Sequence, residues 1–306
     1  MSGFKVFAPA SVANVACGYD VLGFALDKPG DEIVVNKSDG KGLKITKITG
    51  GKLPYDPEKN TAGYAALKLL EHLEYTGGIE MQIHKKMPFG SGLGSSAASA
   101  AGAVMAVNML LQKPLSKAEL LPFAVLGEQV ADGAYHADNV APSLLGGLIL
   151  IRDTPSLDFH KVYVPKGLHV VVVHPHIEIL TKDSRDILKK EVDLKKHIDQ
   201  SSNLAGLVLG MQTSNFELIR RSLVDVIIEP QRAHLIPNFY KIKDAALSEG
   251  SLGCSISGAG PSIFAICDNS LIAENVGERW NKIFADHKIA CTIFHSRINQ
   301  EGAVLL

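Results

Sequence analysis

Pro88-Phe89-Gly90-Ser91-Gly92-Leu93-Gly94-Ser95-Ser96-Ala97-Ala98 lies between a strand pattern and a helix pattern, and its reading decides how the rest of the chain is understood. Upstream, Ile79, Met81 and Ile83 alternate with Glu80, Gln82 and His84, the period of a half-buried strand. Downstream, small residues from Ala97 to Ala106 lead into Val107, Leu110 and Leu111, a helical run that Pro114 is expected to stop. Three glycines within five residues permit positive φ and close approach of an anion, and Ser95 and Ser96 fall where the helix begins. The free amides of a helix start, reinforced by roughly +0.5 charge from the aligned peptide dipoles, suit a phosphate.

Two other glycine-rich loops fit worse. A Walker loop needs Lys and then Ser or Thr after its last glycine, whereas Gly94 is followed by Ser95-Ser96. The dinucleotide fingerprint needs two residues between its second and third glycines, and here only Leu93 separates Gly92 from Gly94. The plain alternative is a tight turn leading into a closely packed helix. Three glycines and two serines at a strand-to-helix junction favour a phosphate cradle.

At 306 residues the chain has room for two domains with separate cores and a cleft between them. Its 31 basic and 32 acidic residues nearly cancel, so no nucleic-acid partner is expected. Cys17, Cys254, Cys267 and Cys291 form neither a CxxC pair nor a zinc spacing and read as reduced, buried thiols. Met1-Ser2-Gly3-Phe4-Lys5 lacks the form of a signal peptide, and no apolar run reaches the roughly 18 residues of a membrane span. A cytoplasmic protein with no membrane partner is expected.

Phe4, Val6 and Ala8 predict a short first strand ended by Pro9, then a loop to Asp20 carrying Ser11, Asn14 and Asp20. Val21 to Leu26, Glu32 to Asn36 and Leu43 to Ile48 read as separate strands. Asn60-Thr61 caps a helix through Leu67, Leu70 and Leu73, and Ser116 with Glu119 has capping-box spacing for a helix ending near Glu128. His136-Ala137-Asp138-Asn139 follows, then Gly146-Gly147 and the strand Leu148 to Ile151. The composition change from Asp153 to Phe159 places the domain division at 155/156.

In the second half, Leu168 to Val173 reads as a strand buried on both faces, followed by His174-Pro175-His176, where nothing nearby completes a metal site. Thr181 precedes a short helix carrying Arg185. Helices are expected around Leu204 to Met211, Phe216 to Leu223, Lys241 to Ser248 and Asn275 to Phe284, with a loop holding Arg232 between Pro230 and Pro237. Strands at Leu252 to Ser257 and Ile263 to Cys267 flank a second glycine turn, Ser257-Gly258-Ala259-Gly260-Pro261-Ser262, which a simple hairpin explains. Thr292 to Ile298 is the expected last strand. Strands alternating with helices in both halves argue for α/β or α+β architecture.

Three motifs in order, the loop ending at Asp20, the stretch Pro88 to Ala98 and the turn Ser257 to Ser262, resemble those of the GHMP kinases over nearly the whole chain. The resemblance implies an α+β two-domain fold, residues 1–155 like the second domain of ribosomal protein S5 and residues 156–306 ferredoxin-like, with the active site between them. Within the superfamily, Gly90 to Ala98, His136 to Asn139 with Val140-Ala141-Pro142, and Glu229-Pro230-Gln231-Arg232 resemble the homoserine kinases. The N-terminal loop departs from the usual pattern, with Ala16 at a common glycine and Tyr19 at a common phenylalanine.

The resemblance implies ATP-dependent phosphorylation of the L-homoserine hydroxyl, with the nucleotide on Pro88, Phe89, Gly90, Ser91, Gly92, Leu93, Gly94, Ser95, Ser96, Ala97 and Ala98 and with Asn60 near the adenine. It further implies Mg2+ on Ser96 and Glu128, homoserine on Asn14, Asp20, His136, Asn139, Thr181, Arg185 and Arg232, and a homodimer. The chemistry of a zwitterion agrees: Asp20 suits an ammonium, and the planar fork of Arg185 or Arg232 suits a carboxylate. Some GHMP kinases use an Asp as base; Asn139 cannot take a proton, so it is read as positioning the acceptor hydroxyl. A different small-molecule kinase, such as a mevalonate kinase, and a catalytically silent binding protein on the same fold remain the alternatives.

Overall fold

A computed structural model describes residues 3–112, 115–132 and 135–306. The first half runs β1 (Phe4–Ala13), β2 (Leu22–Ser38), β3 (Gly42–Thr49), α1 (Thr61–His72), β4 (Gly78–His84), α2 (Ser95–Leu110), α3 (Lys117–Asp132), α4 (Val140–Leu145), β5 (Leu148–Asp153) and β6 (Asp158–Val162). The second half runs β7 (His169–Pro175), α5 (Thr181–Asp186), α6 (Leu194–Thr213), α7 (Phe216–Ser222), α8 (Glu229–Arg232), α9 (Phe239–Ser248), β8 (Gly253–Ile256), β9 (Ile263–Cys267), α10 (Ser270–Asp286), β10 (Cys291–Ser296) and β11 (Val304–Leu305). The expected helix stop at Pro114 lies outside the described residues.

One mixed sheet has the order β11-β1-β2-β4-β3, with β5 paired to β2 and to β6; the other has the order β10-β7-β9-β8. The parallel pair β3 and β4 is joined through α1, as parallel neighbours require a crossover. α2, mostly Ala, Ser, Gly and Val, is buried along almost its whole length, and its small side chains let it lie close against β1, β2, α1 and α3. The hairpin β5–β6 turns between Asp153 and Asp158, so the 155/156 division falls inside it, and β11 returns to pair with β1.

Several sequence expectations change. β1 does not stop at Pro9 but continues to Ala13, because the register against β2 shifts between Pro9 and Ser11, and a proline without an N–H is accommodated where a ladder is irregular. The two strands expected on either side of Asp27-Lys28-Pro29-Gly30 are one strand, β2, for the same reason: Gly30 pairs with Pro9 and packs against the Phe7 ring, where a Cβ would come within 2.3 Å. The expected loop around Arg232 begins as the short helix α8, and α6 starts ten residues early, capped by Asp193 on the amides of Lys195 and Lys196.

The two cores do not divide between the two halves, because the larger one holds residues of both. Along β7, Val171 and Val173 face Trp280, Phe239 and Phe284, whereas Val170 and Val172 join the large core that also holds α2 and the first sheet. Phe24 of β2 meets Phe264 of β9 edge to face at 5.8 Å, so apolar packing continues across the two halves. Alternation along a strand buried on both faces makes this possible. Of the four thiols, Cys17, Cys254 and Cys267 are buried and Cys291 only partly; burial pushes Cys17 and Cys267 up to about 12.

At the end of β7, His174 is 5% exposed with Nδ1 3.3 Å from Ser262 Oγ. Burial, then the neighbouring His176, lowers its pKa from 6.5 to about 4. The unfolded chain therefore takes up a proton near 6.5 that the folded protein refuses until about 4, and stability falls with pH across that window. We expect a loss of about 2 kcal/mol between about pH 7 and about pH 5 from this residue. Urea unfolding of His174→Asn should show a flatter acid limb than the parent; an unchanged limb would refute the assignment.

Candidate active site

The cradle has the backbone its glycines predict: Gly90, Gly92 and Gly94 have φ of 57°, 74° and 64°, and Gly94 immediately precedes α2 without a capping side chain. Phe89, Gly90, Ser91, Gly92, Gly94, Ser95 and Ser96 line one cavity, whereas Leu93, Ala97 and Ala98 are buried in the core beneath it. The Ser91 hydroxyl is buried at the cavity with no hydrogen-bond partner among the described residues, a group suited to an incoming anion.

The glycines serve different neighbours. A Cβ on Gly92 would sit 2.3 Å from Ser257 O, and one on Gly94 2.2 Å from Ser11 Oγ, so both are required by close approach of other chain segments. A Cβ on Gly90 would meet nothing nearer than Glu178 Cγ at 3.7 Å. The second glycine turn is a hairpin, as expected, but it also clamps the cradle: Ser257 Oγ donates to Gly92 O at 2.7 Å and Ser262 N to Ser91 O at 3.1 Å.

Beneath the cradle is an ion pair that no motif announced. Lys85 and Asp31 are fully buried and bonded to one another; Lys85 Nζ also donates to Ser95 O at 2.5 Å and Ser99 Oγ at 2.7 Å, inside the first turn of α2. Asp31 in turn accepts from the backbone amides of Lys86 and Met87. The signal was parity: Ile79, Met81, Ile83 and Lys85 share one face of the strand pattern, so Lys85 points inward.

At the other end of the cavity, Asn14 donates from Nδ2 to Gly258 O at 2.8 Å and accepts from Asp20 N at 3.1 Å, tying the N-terminal loop to the second turn. The loop holds an unusual run of positive φ at Asn14, Val15 and Ala16, strain that persists only where surrounding contacts enforce it. Arg185 forms a two-pronged pair with Asp20, Nη2 to Oδ1 at 3.0 Å and Nη1 to Oδ2 at 3.3 Å. Arg232 is 3% exposed and donates to Ser184 O at 2.9 Å and Gly258 O at 3.2 Å. His136 Nδ1 lies 4.0 Å from Asp20 Oδ1.

Asn14, His136, Asn139, Arg185 and Arg232 thus converge on the cavity that the cradle lines. Asn139 Oδ1 accepts from Ser11 Oγ at 2.8 Å. Asp138 also lines the cavity, and burial, then the charge of Asp20, pushes its carboxyl up to about 7. Asn60 is not brought to this cavity: its Oδ1 accepts from Ala62 N and Gly63 N as the cap of α1, and its Nδ2 donates to Pro54 O. Thr181 starts α5, but its side chain lies outside the described residues.

Ser96 Oγ donates to Glu128 Oε1 at 2.7 Å at the mouth of the cradle. Two hard oxygen donors beside a phosphate site are the kind of partial set that Mg2+ completes with water and phosphate oxygens, so the residues fit that ion.

An anion cradle at a helix start and a charged acceptor cluster, held between two α+β halves, define a small-molecule kinase of the GHMP class. Family models agree: GHMP kinases N terminal domain matches residues 60–147, and GHMP kinases C terminal matches residues 207–286. The homoserine kinase of Chlorobium phaeovibrioides is 46% identical over the full length of both chains, and that of Xanthomonas campestris is 40% identical over 99% of this chain and 94% of its own. The crystal structure of homoserine kinase from Cytophaga hutchinsonii superposes with a TM-score of 0.98 at 49% identity, covering 100% of this chain and 98% of that one. Methanococcus jannaschii mevalonate kinase shares the fold alone, with a TM-score of 0.73 at 17% identity over 97% and 98% of the two chains. The chain belongs to the homoserine kinase family.

Proposed function

We propose that the protein transfers the γ-phosphoryl group of ATP to the side-chain hydroxyl of L-homoserine, giving O-phospho-L-homoserine on the route to threonine. The observation that carries the reading is that one cavity joins the glycine cradle to Arg185 and Arg232, with Asp20 paired to Arg185 just beyond its lining. The amides and hydroxyls of Gly90 to Ser96 bind the phosphates. Asp20 takes the ammonium of homoserine, and Arg185 and Arg232 take its carboxylate, so the two charges of the substrate replace the Asp20–Arg185 pair one for one. Mevalonate, with a carboxylate and no ammonium, would leave Asp20 unpaired.

Asn139 has its carbonyl oxygen engaged by Ser11, which leaves its amide hydrogens to orient the acceptor hydroxyl. No base is needed on that hydroxyl, because phosphoryl transfer through a loose transition state depends chiefly on alignment and charge neutralisation. Ser96 and Glu128 would hold Mg2+, which neutralises charge on the transferred phosphate. An adenine placed near Asn60, a homodimer and a cytoplasmic location belong to the same reading.

The test is incubation of the purified protein with ATP and Mg2+ and a panel of alcohols. Homoserine should be turned over, mevalonate should not, and omission of Mg2+ should abolish turnover. Efficient phosphorylation of mevalonate with none of homoserine would overturn the acceptor assignment, and no transfer to any alcohol would overturn the kinase.

A further inference from the structure

Two guanidinium groups that grip one carboxylate must stand close together, although each repels the other: the charge of Arg185 is among the causes that lower the pKa of Arg232, after burial. Something must hold them in place before the substrate arrives. The half-buried ring of Tyr19 is near both, its centroid 5.8 Å from Cζ of Arg185 and 5.2 Å from Cζ of Arg232. Its hydroxyl oxygen accepts from Arg185 Nη1 at 3.1 Å, and the charge of Arg232 also acts on the phenol.

The negative face of an aromatic ring attracts a guanidinium, and does so more strongly where water is excluded. Tyr19 therefore offsets the repulsion between the two cations without supplying a negative charge that would compete with the substrate carboxylate. The neighbouring groups divide the rest of the work. Asp20 pairs Arg185 in the free protein, while Arg232 is anchored by the carbonyls of Ser184 and Gly258. Tyr19 itself is not among the residues that line the cavity, so its effect on the acceptor passes through the arginines.

We infer that Tyr19 is a positioning residue for acceptor recognition, which holds Arg185 and Arg232 as a ready-made fork for a carboxylate. The inference rests on the reading that these arginines bind the acceptor carboxylate. Its signature is selective. Disturbing Tyr19 should affect acceptors that carry a carboxylate and spare those that lack one, and it should leave the nucleotide untouched.

The experiment is steady-state kinetics of the parent, Tyr19→Phe and Tyr19→Leu with homoserine, with propanolamine, which is homoserine without its carboxylate, and with ATP varied. Tyr19→Phe keeps the ring and loses one hydrogen bond, so KM for homoserine should rise about fivefold; Tyr19→Leu loses the ring as well, and the rise should reach about thirtyfold or more. KM for ATP and kcat/KM for propanolamine should stay within about twofold in both. Tyr19→Phe is conservative enough to fold, and an unchanged ATP KM verifies it. A parent-like homoserine KM in Tyr19→Leu overturns the inference, as does an equal loss with homoserine and propanolamine. Absence of homoserine turnover in the parent would instead remove the acceptor assignment, and this inference with it.

Discussion

Lys85→Met should destabilise the protein by about 3–5 kcal/mol, the usual cost of removing one partner of a buried ion pair. Asp31 would be left inside the protein with backbone amides and the distant Ser95 hydroxyl as its remaining donors, and Ser95 O would lose its lysine. Because Lys85 holds the first turn of α2, KM for ATP should rise as well. The companion variant Lys85→Met with Asp31→Leu removes both charges and should be less destabilised than the two single losses summed, since contacting residues do not add. Urea unfolding of the single and double variants provides the measurement. A parent-like midpoint for Lys85→Met would mean that the pair contributes nothing to the cradle's support.

For Arg232→Leu the expected loss is in acceptor recognition, about 2–5 kcal/mol, which is about thirtyfold to several thousandfold in kcat/KM for homoserine. Arg232 is almost wholly buried, so a carboxylate it holds is desolvated and poorly replaced by water. Arg232→Lys separates charge from geometry: it retains the cation but loses the planar fork, and should recover only part of the activity. Leucine also removes a donor from the carbonyls of Ser184 and Gly258, the second of which keeps its bond from Asn14, so thermal unfolding of both variants must accompany the kinetics. Loss of activity with homoserine but not with propanolamine identifies the carboxylate contact. An equal loss with both would return Arg232 to a purely structural role.

Local chemistry made much of the fold legible. The cap on α1 at Asn60, the capping box of Ser116 and Glu119, and the positive φ of Gly90, Gly92 and Gly94 all depend on residues within a few positions of one another. Strand ends were less legible where two strands share an irregularity, as at Pro9 and Gly30, because a proline signals a break only if its partner does not bend with it. The start of α6 was missed because its first turns are mostly polar, with only Leu194 and Ile198 apolar and both exposed. At the site, the cradle and the charged residues could be named, but Tyr19 had no visible role until Arg185 and Arg232 were brought beside it.

The sequence by itself determined the cradle, its place between β4 and α2, and the residue types suited to a phosphate and a zwitterion, because each follows from short-range backbone and side-chain chemistry. Only the tertiary structure decided that Asp20 and Arg185 pair across 165 positions, that Gly92 is required by the Ser257 turn, and that Lys85 meets Asp31 beneath α2. Those partners are separated by long stretches of chain, and their meeting depends on how both sheets pack around one shared core, which no local pattern encodes.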